Sequence, residues 1–152
     1  MDDELIAAIA AVIAKKNEYT IYTDDIPQDF ERPSFFVYRI SDLDTVMNRW
    51  TYNTNAIVQI VYFSPLDDHE NIISKADQAT MIKTLKHTFM AMLGVKFGSD
   101  WAHLEKTNVD YTGDKDIFLQ LTFDIVNGTR QEYEESQNIS KMQNINFKEA
   151  VK

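Results

Sequence analysis

Cysteine is missing from all 152 residues, and glycine, proline and histidine are scarce at four, three and three. Without cysteine there can be no disulfide, no thiol catalysis and no thiolate metal site. Four glycines leave no room for a phosphate loop, a dinucleotide fingerprint or a nucleophile elbow, each of which needs glycine at fixed spacing. His69, His87 and His103 stand apart from one another and form no metal-binding pair at helical spacing. Positive charge is also short: 15 Lys and Arg against 24 Asp and Glu give a net charge of −9. That balance argues against sequence-specific or phosphate-directed nucleic-acid binding, which needs a basic face. It argues equally against docking on an anionic membrane. The apolar run at residues 5–14 is too short to span a bilayer. The opening Met1-Asp2-Asp3-Glu4 is acidic where a secretory signal is basic.

What is present suits a globular chain. A chain of this length fits one domain and can bury a core without covalent staples. Leu5, Ile6, Ile9, Val12 and Ile13 recur at helical spacing behind an acidic start, which predicts a first helix packed on a sheet. Thr20, Ile21 and Tyr22 read as a short strand. An acidic connector bracketed by Pro27 and Pro33 follows; neither proline can donate to a sheet ladder. From Ser34 two long strands are expected, about 34–44 and 50–63. At roughly 3.3 Å per residue each would reach about 35–45 Å, longer than most strands. Such a hairpin should overhang the core and present strand edges to another subunit; the alternative is an irregular loop between two shorter strands. Asn48, Arg49, Trp50 and Tyr52 are the interface candidates there.

Ile72, Ala76, Ala79, Ile82, Leu85, Phe89, Met92 and Leu93 form an apolar stripe that predicts a second helix over about 71–93, with Gly94 as its C-cap. Thr112-Gly113-Asp114-Lys115 predicts a turn between two strands. In the second strand Ile117, Leu119, Leu121, Phe123 and Ile125 share the core-facing side. The fold class is α+β: a mostly antiparallel or mixed sheet with two main helices in the order α-β-β-β-α-β-β. Residues 1–128 make the domain. Residues 129–152 are polar, with apolar residues too sparse for a core of their own. They read as a frayed tail or as an assembly arm carrying Ile139, Met142 and Phe147.

No catalytic, cofactor-binding or metal site is expected. The loop Ser64-Pro65-Leu66-Asp67-Asp68-His69-Glu70 lacks the alternate oxygen spacing and the glycine of a calcium loop. Asp24 with Asp67, or Asp110 with Asp124, could serve as an acid–base pair only if the fold brought them together. The segment Ile21-Tyr22-Thr23-Asp24-Asp25-Ile26-Pro27-Gln28-Asp29-Phe30-Glu31-Arg32-Pro33-Ser34-Phe35-Phe36-Val37 resembles the front of tail terminator-like proteins of tailed phages and defective prophages. Val61-Tyr62-Phe63-Ser64-Pro65, the single long helix and Phe118-Leu119-Gln120-Leu121 fit the same pattern, over roughly residues 1–128. Asp29 departs from it, standing where the family commonly has glycine. The resemblance implies a non-enzymatic structural protein of the virion tail, assembled in the host cytoplasm without a cofactor. Its partners would be copies of itself in a ring, usually hexameric, together with the tail tube protein and head-completion proteins. Other phage head–tail connectors or tail-completion proteins are the nearest alternative, and a small-ligand or enzymatic α+β domain is a further one.

Overall fold

The computed structural model describes residues 3–127. The elements run α1 (Glu4–Ala14), β1 (Thr20–Tyr22), β2 (Ser34–Val46), β3 (Tyr52–Phe63), α2 (Lys75–Met92), β4 (Gly94–Phe97), β5 (Asp100–Tyr111) and β6 (Ile117–Asn127). The six strands form one sheet in the order β1-β2-β3-β6-β5-β4. Among the described residues only β1 and β2 pair in parallel; every other ladder is antiparallel. The α+β class and the expected order hold, with the short β4 added at one edge. The possible assembly arm, with Ile139, Met142 and Phe147, lies outside the described residues.

Alternation decides which face is covered. Phe35 and Val37 of β2, Ala56, Val58, Ile60 and Tyr62 of β3, and Ile117, Leu119, Leu121, Phe123 and Ile125 of β6 pack with both helices into one core. The helices supply Leu5, Ile6, Ile9 and Ile13 from α1 and Ile82, Leu85 and Phe89 from α2. The side chain of Asp3 caps α1 by accepting from the Ile6 N–H at 3.2 Å. It also takes two hydrogen bonds from Arg39, at 2.9 and 2.7 Å, which tie the helix start to β2. Burial would raise the Asp3 pKa, but the hydrogen bonds from Arg39 and from the Ile6 backbone outweigh it and hold the carboxyl below its ordinary 3.8. A carboxyl so depressed contributes its full stabilisation above 3.8 and loses it as pH falls through the folded value. Asp3→Ala should therefore cost about 1–2 kcal/mol at pH 7. The gap between variant and parent should close below pH 3.8 in urea melts.

The second helix is shorter than its periodicity suggests. Ser74 caps it by accepting from the Asp77 N–H at 3.1 Å, and Ile72 is drawn into an isolated bridge with Leu66. Its buried stripe is Gln78, Ile82, Leu85 and Phe89; Ala76, Ala79, Met92 and Leu93 face solvent. Gln78 is tolerated inside because its Nε2 donates to the Lys115 carbonyl at 3.1 Å. The C-cap position falls to Leu93, which is left-handed at φ 61°, while Gly94 begins β4. In the turn before β6 the left-handed residue is Lys115 rather than Gly113.

Among the described residues no helix packs on the opposite face of the sheet. The 23–33 connector covers its near end: the Phe30 ring lies 4.5 Å from that of Phe63, and the Arg32 guanidinium sits 5.2 and 5.3 Å from the two ring centres. Arg32 also donates to the Ser64 carbonyl at 2.9 Å and pairs with the buried Asp116 at 3.1 Å. Farther along that face Gln120 donates to Gln59, which donates to the Tyr38 hydroxyl, a polar ladder crossing three strands.

Candidate assembly surface

The long hairpin exists, and it does not stand alone. β3 keeps β6 as its other neighbour up to the Tyr52–Asn127 pair, so three strands run together to the far end. β2 is the outermost of the three. A bulge between Arg39 and Ser41 reverses which of its residues face the helix side. Beyond that bulge every residue of β2 is exposed. Leu43 is 66% and Val46 82% accessible, and Met47 and Val126 beside them are also open. By register Val46 lies on the helix side and Leu43 and Val126 on the other, so the far end of the sheet exposes apolar side chains on both faces, as interaction sites do.

The sequence-derived candidates fall around this tip in different roles. Asn48 and Arg49 lie in the 47–51 turn and are exposed. The Asn48 Oδ1 accepts from the Trp50 and Thr51 N–H groups at 2.9 and 3.1 Å, so this side chain shapes the turn. Trp50 and Tyr52 are about two-fifths exposed. Ile40, Leu43, Val46 and Met47 were not among the candidates. Strict alternation from Phe35 puts Leu43 on the core side; the bulge turns Leu43 off it and Val46 toward it.

The sheet also has two unpaired edges. β1 covers only the first three residues of β2, leaving residues 37–46 without a strand neighbour on that side among the described residues. β4 covers only the first four residues of β5, through His103, and the Leu104 N–H still donates to the Leu93 carbonyl at 3.0 Å. From Glu105 to Tyr111 the outer side of β5 has no strand neighbour among the described residues. Clefts follow both edges. One of about 530 Å³ lies between α1, the Thr23–Asp24 bend and Tyr38–Arg39 of β2. One of about 170 Å³ lies among Met90, Leu93 and residues 104–107. A third, of about 300 Å³, lies between Tyr111 and the start of α2.

Arg39 is the one basic residue of β2. Burial would lower its pKa, but hydrogen bonds from Arg39 to Asp3 and to Asp42 at 2.5 Å outweigh that and raise it. The guanidinium is thus fixed as a positive link across the bulge.

Among the described residues the Asp110–Asp124 pair suggested by the sequence is held apart. Asp110 faces Phe118 and Asp124 faces His103, six residues apart along β6, which at about 3.3 Å per residue is about 20 Å. Asp67 instead accepts from the His69 and Asn71 N–H groups of its own loop. Among the described residues no three His, Asp or Glu side chains gather as a metal site, and no helix is long and apolar enough to cross a membrane. Residues 4–137 match the family model described as phage tail terminator protein. No curated protein matches the sequence.

Proposed function

From the match over 4–137, which makes this chain a member of the phage tail terminator family, we infer that it ends the phage tail by closing into a ring, most simply a hexamer, seated on the tail tube. In that position it stops further tube subunits from adding and offers its other side to head-completion proteins. Assembly takes place in the host cytoplasm before the tail joins the head. The observation that carries this reading is the pairing of open strand edges with an exposed apolar tip in a protein whose family is structural. A ring needs two different surfaces on each copy that fit one another and close. The tip residues Asn48, Arg49, Trp50 and Tyr52, with Leu43, Val46 and Met47, are the surface proposed to meet a neighbouring subunit. A net charge of −9 suits a passage through which DNA slides without sticking.

The test is mass measurement combined with negative-stain imaging, alone and with tube subunits. Six copies of 17.6 kDa should give a ring near 106 kDa. A double change of Val46 and Met47 to Asp should abolish ring or tube binding while leaving the circular dichroism of the subunit unchanged. A protein that stays monomeric at every concentration and ignores tube subunits would overturn the reading.

A further inference from the structure

We propose that the ring is joined strand to strand: residues 104–111 of β5 in one copy pair antiparallel with residues 39–46 of β2 in the next, making one continuous sheet around the wall. This rests on the ring reading above and specifies its contact. Three observations carry it.

The first is direction and length. Along the sheet β2 and β5 run in opposite senses, so rotation about a ring axis brings them together antiparallel. The two stretches proposed to pair match in length: residues 39–46 and 104–111 each contain one bulge, between Arg39 and Ser41 and between Leu104 and Lys106, and β2 is open for two residues more, 37 and 38.

The second is the stepped outline. β4 blocks one end of the β5 edge, and β1 blocks the opposite end of the β2 edge. The next copy must slide along the strands to clear β4. A slide by an odd number of residues would turn the covered face outward. Four residues is the smallest slide that clears β4 and keeps the faces aligned. At about 3.3 Å per residue that is about 13 Å, taken over four strand spacings totalling about 19 Å. The resulting strand tilt is about 35°, within the range that closing a sheet on itself requires.

The third is side-chain fit. In this register Val46 lies opposite Leu104, beside the exposed Leu93 and Met90 that line the 170 Å³ cleft. Asp44 meets Thr107, Asp42 meets Val109, Leu43 meets Asn108 and Ser41 meets Asp110, so no carboxylate faces another. A twofold pairing of two β2 edges that keeps the faces aligned sets Asp42 against Asp42 or Asp44, and like charges directly opposite are unfavourable. Leu93, the left-handed C-cap of α2, leaves its side chain 65% exposed beside this contact.

The absence of cysteine makes the test direct. Leu43→Cys with Asn108→Cys, and separately Ser41→Cys with Asp110→Cys, place thiols on residues predicted to be opposite. Directly opposite residues of antiparallel strands are about 4.5–5.5 Å apart at Cα, within disulfide reach. After mild oxidation each double variant should give a non-reducing ladder from two chains to the full ring, while each single variant stays at one chain. Rings of normal mass without a ladder in either double variant would overturn the pairing and leave the ring standing. A dimer band from Leu43→Cys or Asn108→Cys alone would replace it with a twofold contact. Failure of the unaltered protein to form any ring, alone or on tube, would remove the ring reading and the pairing with it.

Discussion

Arg32→Met should destabilise the protein by about 3 kcal/mol at pH 7, the loss typical of leaving one partner of a buried ion pair uncompensated. Asp116 is that partner: its side chain is only 4% exposed, and it sits at the head of β6 where the chain enters the sheet. Burial pushes its pKa up, and the hydrogen bond from Arg32 holds it back. Removing the guanidinium leaves burial unopposed, so the carboxyl of the variant rises further. A carboxyl raised above its unfolded value keeps its proton in the folded state when the unfolded state has lost it. Stability then falls as pH climbs through that window and recovers as pH drops. Urea melts should therefore show the deficit of Arg32→Met largest at pH 7 and shrinking toward pH 4. Adding Asp116→Asn should restore roughly half of the loss at neutral pH, because no charge is then stranded. A deficit of equal size at both pH values would place the role of Arg32 in its packing over Phe30 and Phe63 instead.

Gly94→Ala is the second large effect. Gly94 has φ +155°, and a Cβ there would lie 2.2 Å from the Ala102 carbonyl oxygen and 2.8 Å from the Trp101 ring. The carbonyl belongs to the neighbouring strand and cannot step aside without parting β4 from β5. We expect a loss of about 3 kcal/mol, seen as a fall of about 6–12 °C in melting temperature for a chain of this size. Gly98 and Gly113 provide the scale. At Gly98 the new atom meets only the carboxylate end of Glu4, but φ is +57°, so Gly98→Ala should cost about 1 kcal/mol. At Gly113 nothing lies within 4 Å. Gly113→Ala should be close to neutral. Equal melting temperatures for the three variants would refute this ordering.

The contrast at these glycines shows what could be read beforehand. Gly94 is visible in the sequence as a helix stop, and α2 does end beside it. Its actual task, letting β4 approach β5, depends on a partner eight residues later and has no local signature. The β6 face, Ile117 to Ile125 at alternate positions, was fully legible because one side of that strand meets only core. The β2 strand was legible to about Asp44, but its facing only as far as Arg39; a single inserted residue then exchanges its faces, and no propensity marks where the insertion falls. Gln78 was missed for a similar reason. A polar residue at the head of an apolar stripe reads as solvent-facing until the Lys115 carbonyl that satisfies it is known. For the proposed assembly surface, excess strand length pointed to the end of the sheet where Leu43, Val46 and Met47 are exposed. The open edges could not be foreseen, because they depend on how far β1 and β4 extend along their neighbours.

The last described strand is threaded into the interior of the sheet, between β3 and β5. A chain emerging from the ribosome therefore carries two separate pieces, β1-β2-β3 and β4-β5, each with a bare inner border, until β6 is free to insert. That insertion joins residues about sixty positions apart, as in the Gln59–Gln120 pair, and such distant contacts form late and slowly. Completion of the described sheet is thus tied to the release of β6.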